Sequence, residues 1–133
     1  PELKRQSERA HSRGKYIASH TDGENQMLLE HYREAGFDIA DSICPAPMTK
    51  VSLKESREAL GDHMTIWGGI PSIALLKESM SDQSFFQIVD DTLEAIGRGD
   101  HMIISVADTL PPAADFDRFL YLKRKVEEFG AVR

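Results

Sequence analysis

The sequence is poor in the features that most quickly narrow a protein's function. It has one cysteine, Cys44, in 133 residues. No disulfide can form within the chain, and a reducing, cytoplasmic setting is the expectation. Basic charge is not in excess: 16 Lys and Arg stand against 22 Asp and Glu, giving a net charge of −6. Nucleic acid is therefore disfavoured as a partner, because phosphate contacts need a basic face. The one basic run, KRK at 123–125, reads as the solvated side of a helix. No apolar stretch approaches the roughly 18 residues of a membrane span. Neither G-x-G-x-x-G nor a P-loop is present, so a nucleotide is a poor candidate ligand.

What the chain does have is alternation. Four times a short apolar run precedes a longer segment of helical period. KYIASH (15–20) leads into ENQMLLEHYREAG (24–36), where Met27, Leu28, Tyr32 and Ala35 share a face and Gly36 suits a C-cap. FDIADSIC (37–44) leads into VSLKESREALG (51–61). MTIWGGI (64–70) leads past Pro71 into a short helix and then SDQSFFQIVDDTLEAIG (81–97), with Ser81 as N-cap and Phe85, Ile88, Val89, Leu93 and Ile96 as the stripe. HMIISVA (101–107) leads into ADFDRFLYLKRKVEEFG (114–130), with Phe116, Phe119, Leu120, Val126 and Phe129 expected to face inward. This pattern predicts an α/β fold of parallel βα units in one domain over residues 1–133. The opening PELKRQSERAHSR (1–13) reads as the last turns of a helix begun earlier, so a piece of a longer chain is expected.

Chemistry in parallel α/β folds gathers beyond the C-terminal ends of the strands. The first strand ends in His20, Asp22 and Gly23, the second in Asp41, Cys44 and Pro45, the third in Trp67, Gly68, Gly69 and Pro71, and the fourth in Asp108. His20 and Asp22 are two apart, so in extended chain both point to one side. With Asp108 they would form an imidazole and two carboxylates, a set suited to zinc or a harder divalent ion. The structural alternative is that Asp22 caps the following helix and His20 satisfies a backbone carbonyl. Cys44 is either a thiolate or a small buried apolar group. Trp67 either stacks on a flat ligand or packs, and Gly68-Gly69 either let a ligand approach or make a tight turn. His11, His31, His63 and His101 read as surface or structural residues.

LKRQSERAHSRGKYIASHTDG, LLEHYREAGFDIADSI, LGDHMTIWGGIP and HMIISVADTLPPAADFDRFLYLKRKVEEFG, in that order, resemble the C-terminal half of the uroporphyrinogen decarboxylase superfamily, which includes cobalamin-dependent methyltransferases. The resemblance implies a TIM (β/α)8 barrel of which this chain supplies four βα units. Half a barrel leaves sheet edges bare, so homo-oligomerisation or packing on an N-terminal half is expected. In the methyltransferase branch a His-x-Cys pair and a later cysteine bind zinc. His20 matches that histidine, while Asp22 and Asp108 stand where the cysteines would be. The resemblance thus implies a metal-assisted, corrinoid-dependent methyltransferase as parent, with His20, Asp22 and Asp108 as ligands, His20 and Asp108 as catalytic residues, and Trp67, Gly68 and Gly69 near the cofactor. The alternatives are a uroporphyrinogen decarboxylase acting on a tetrapyrrole by proton transfer, and a non-catalytic half-barrel that only binds.

Overall fold

Helix ends in this chain are set by caps. The structure, a computed structural model, describes residues 2–130. Helix α1 spans Glu2–His11; Pro1, part of the helix expected over 1–13, lies outside the described residues. Gly36, at φ 77°, closes α2 (Leu29–Ala35) in the left-handed conformation that favours glycine at a C-terminus. Ser52 opens α3 (Leu53–Leu60) with a capping box: its hydroxyl accepts from the Glu55 amide, and the Glu55 carboxylate accepts from the Ser52 amide. That satisfies donors a helix start leaves free. Ser81 caps α4 (Asp82–Ala95) and Asp115 caps α5 (Phe116–Phe129), each through one bond, its side chain accepting from the amides of Ser84 and Arg118 respectively.

The strands are β1 (Ala18–His20), β2 (Ile39–Ile43), β3 (Thr65–Ile70) and β4 (Met102–Val106). They make one sheet in the order β1-β2-β3-β4, every pair parallel. The protein is a mixed α/β molecule of parallel βα units, as the alternating runs predict.

The pleat sends successive residues to opposite faces. Ser19, Ala40, Ile66 and Met102 form one row across the sheet; His20, Asp41, Trp67 and Ile103 form the next. The first row lies under helices. Ala40 and Ile66 are buried there with Leu29 and Tyr32 of α2 and Leu53 and Leu60 of α3. A second cluster joins Ile70 to Phe85 and Val89 of α4 and Leu122 of α5. The other row is open: Trp67 is 41% exposed and Ile103 42%.

Two expected faces are rotated. Met27 and Leu28 are exposed, and Leu29 takes the inward place. The cause is local: Gln26–Leu28 wind as a 3-10 turn, out of phase with the α-helix that follows. In α5, Phe116, Phe119, Leu120 and Phe129 are exposed, while Arg118 and Leu122 are buried. Val126 packs against the second cluster as expected. The Arg118 guanidinium explains the rotation. It donates to the carbonyls of Ala74, Leu76 and Met80 and to the Asp82 carboxylate, so the helix turns this residue toward the segment between β3 and α4. Among the described residues, no helix is long and apolar enough to cross a membrane.

Replacing Arg118 by Met should lower stability by about 2–5 kcal/mol, because buried carbonyls lose their donors. Lys123→Met, which breaks only an exposed pair with Glu127, should shift the urea midpoint far less. Equilibrium urea unfolding of the two variants checks the contrast.

Candidate metal centre

His20 is the last residue of β1 and belongs to the open row, so its ring stands over the uncovered face. Its lateral neighbour on β2 is Asp41. The His20 Nδ1–H donates to Asp41 Oδ2 at 2.8 Å. Nε2 faces the other way, 3.4 Å from Asp22 Oδ1 and 3.8 Å from Asp108 Oδ1. One ligand atom from each of His20, Asp22 and Asp108 lies within 4.8 Å of the other two. The structure therefore brings these three sequence-predicted residues to one point.

That meeting makes a demand on the sheet. β1 and β4 are its opposite edges. With strands about 4.8 Å apart, a flat sheet would hold its edges about 14 Å apart. Contact requires the sheet to curl toward its open face and the chain after β4 to turn inward. Asp108 sits in that turn at φ 61°, a left-handed conformation that aspartate tolerates better than most residues. On the other side, Glu24 fastens the loop that carries Asp22. Its carboxylate accepts from the Gln26 amide and, at 2.8 Å, from the Lys50 amide in the loop after β2. A hydrogen bond between Thr21 and Tyr32 anchors the same loop to α2. Neither His20 nor Asp22 makes the structural bond open to it. Glu24, not Asp22, receives the Gln26 amide, and His20 meets a carboxylate instead of a backbone carbonyl.

The electrostatics favour charge on the ring. The hydrogen bond to Asp41 holds the His20 pKa above its ordinary 6.5, with the charges of Asp41, Asp22 and Asp108 adding to it and burial opposing. Cys44 is the reverse case. Burial pushes its thiol from 9.0 up to about 11; a backbone bond from Ser72 works against this and the Asp108 charge with it. Cys44 is buried and its Sγ lies 3.7 Å from the Pro45 carbonyl. It behaves here as a small apolar group.

Of the three residues expected to meet a cofactor, Trp67 shares the open row with His20 and Asp41 and is exposed. Gly68 and Gly69 are buried at φ 141° and 96°; a Cβ on Gly68 would fall 2.3 Å from the Ile43 carbonyl oxygen, and one on Gly69 2.9 Å from Met102 Cε. Their missing side chains are taken up by packing within the protein, not by open space for a ligand. Beside the cluster, a groove of about 470 Å³ runs from Asp108 between β4 and α5, walled by Ile104, Val106, Leu110, Phe119 and Leu122. His11 and His31 are exposed and pair with Asp38 and Glu34.

Asp41, the hydrogen-bond partner of His20, is a residue of this cluster to which the sequence alone assigns no role. The available signal was an acidic residue inside an otherwise apolar strand run, FDIADSIC. No protein-family model and no curated protein matches the chain.

In metal-free protein the His20 ring should titrate above 6.5 by NMR. Asp41→Asn should lower that value more than Asp22→Asn or Asp108→Asn, since Asp41 supplies both the hydrogen bond and a charge. The sign for stability follows: a raised folded pKa contributes stability below the unfolded value, and that contribution is lost as pH rises through the folded pKa. Cys44 should resist alkylation near neutral pH in the folded protein and react at an ordinary thiol rate once unfolded by denaturant; fast native labelling would contradict the buried, protonated thiol.

Proposed function

We propose that this chain is the C-terminal half of a (β/α)8 barrel of the uroporphyrinogen decarboxylase type. In this reading it holds one divalent metal, zinc in the first instance, through His20, Asp22 and Asp108. The parent enzyme then carries out metal-assisted, corrinoid-dependent methyl transfer. The observation that carries this reading is the convergence of His20 Nε2 with two carboxylates delivered from opposite edges of the sheet. A tetrahedral zinc with bonds of about 2.0–2.1 Å spaces its ligands about 3.3 Å apart. The 3.4 Å between His20 and Asp22 matches that spacing, whereas Asp108, 3.8 Å from His20, has to move inward to ligate. Three protein donors also leave a coordination position for a substrate, the pattern of catalytic rather than structural zinc.

The barrel reading has topological support. The strands follow one another without reversal, and the two core clusters lie on one face. Doubly wound sheets reverse their strand order and cover both faces. Closure needs about eight strands, so the free edges β1 and β4 are covered either by an N-terminal half or by a second copy.

Within this scheme each residue has a task. The bound metal supplies Lewis acidity toward the methyl acceptor, and a corrinoid, when present, supplies the methyl group. Neutral His20 gives its Nε2 lone pair to the site. Asp22 and Asp108 balance a dipositive charge and make the donor set harder than the thiolate set of the methyltransferase branch. Trp67 offers an indole face on the side from which a substrate arrives. A second reading, proton transfer on a tetrapyrrole without metal, draws support from the raised His20 pKa, which keeps a proton available among three carboxylates.

Purified protein should bind one equivalent of Zn²⁺ or Co²⁺ by calorimetry. Asp22→Ala and Asp108→Ala should each weaken binding by more than the roughly 10–100-fold of an outer-shell change. Affinity should climb as pH rises through the raised His20 pKa, because the ring must lose its proton to ligate. Absence of bound metal in the full-length parent, together with chelator-resistant turnover of uroporphyrinogen, would replace the first reading by the second.

A further inference from the structure

We infer that Asp41 is the positioning residue of this centre and that a β-bulge at Ser42 makes it one. The consequence for metal rests on the reading above; the geometry does not. Asp41 pairs laterally with Trp67, and the next pairing jumps to Ile43, so Ser42 is an extra residue in β2. Ser42 has φ 65°, outside the range of regular strand. Its amide donates to the side chain just before it, at 2.7 Å from Asp41 Oδ1. The other oxygen, Oδ2, accepts from His20 Nδ1–H at 2.8 Å. Each carboxylate oxygen thus has its own donor, and the plane of Asp41 is held by the backbone of its own strand.

An ionised carboxylate can only accept. A neutral His20 ring bonded to it carries its proton on Nδ1 and keeps a lone pair on Nε2, the atom that faces Asp22 and Asp108. Asp41 selects the tautomer able to ligate and aims the ring, without itself joining the group of ligand atoms.

An amide at this position reverses the choice. Asparagine has one accepting end and one donating end. The Ser42 amide requires the acceptor, so the donor faces His20 Nδ1. The ring then carries its proton on Nε2, where it blocks ligation. Asp41→Asn, nearly isosteric, should therefore be at least as harmful as Asp41→Ala. A residue that only filled space would give the opposite order.

The experiment is long-range ¹H–¹⁵N NMR of the metal-free protein at a pH where the ring is neutral, paired with Co²⁺ titration followed by absorption. The expected result is an Nδ1–H ring in the native protein and an Nε2–H ring in Asp41→Asn. Co²⁺ affinity should fall about 10–100-fold in Asp41→Ala and at least as far in Asp41→Asn. An Nε2–H ring in the native protein overturns the proposal, as does an Asp41→Asn protein that binds Co²⁺ better than Asp41→Ala. A native Nδ1–H ring that Asp41→Asn switches, in a protein that takes no Co²⁺, upholds the positioning role and overturns the metal reading alone.

Discussion

In a parallel sheet covered by helices on one face, neighbouring residues of a strand live in opposite surroundings. Here that parity decides which groups are core and which are chemistry. Ala40 and Ile66 vanish under α2 and α3, while Asp41 and Trp67, one residue along, stay accessible. A one-residue slip would exchange the two sets and place a carboxylate in the apolar layer. The apolar contacts of the covered face therefore do more than stabilise: they hold the register that lines up His20 with Asp41.

The centre gathers an imidazole and three carboxylates with no Lys or Arg bonded to Asp22, Asp41 or Asp108 among the ion pairs of the described residues. The hydrogen bond to Asp41 and the carboxylate charges raise the His20 pKa. Either a proton on His20 or a cation at Nε2 offsets those charges. The two would compete for the same atom, so acidity here and the proposed metal affinity would share one electrostatic origin. Left-handed backbone at Ser42 and at Asp108 brackets the cluster, and strain of that kind persists only where the surroundings impose it.

Much of this was legible in the residues. Alternating runs marked the four strands, and Ser81 and Gly36 marked helix ends, because those signals act over a few neighbours. Spacing put His20 and Asp22 on one side of the chain, and topology put Asp108 at the same end of the sheet. The facing of α5 was not legible, since it depends on carbonyls of a distant segment claiming Arg118. The role of Asp41 was hidden for a similar reason: a bulge shows in the pairing with β3, not in the run FDIADSIC itself. Gly68 and Gly69 announced a close approach, but not that Ile43 and Met102 would be what approached.

The span of the cluster also bears on how the chain reaches its native form. His20 belongs to the first strand and Asp108 follows the last, so no subset of units can build the complete group. Local helices and the early strand pairs form over short chain separations, whereas joining the two ends of the sheet carries the largest loop-closure cost. Assembly of the imidazole with its distal carboxylate is thus a late event by construction. Contact between His20 and Asp108 therefore reports only on molecules whose final strand has docked.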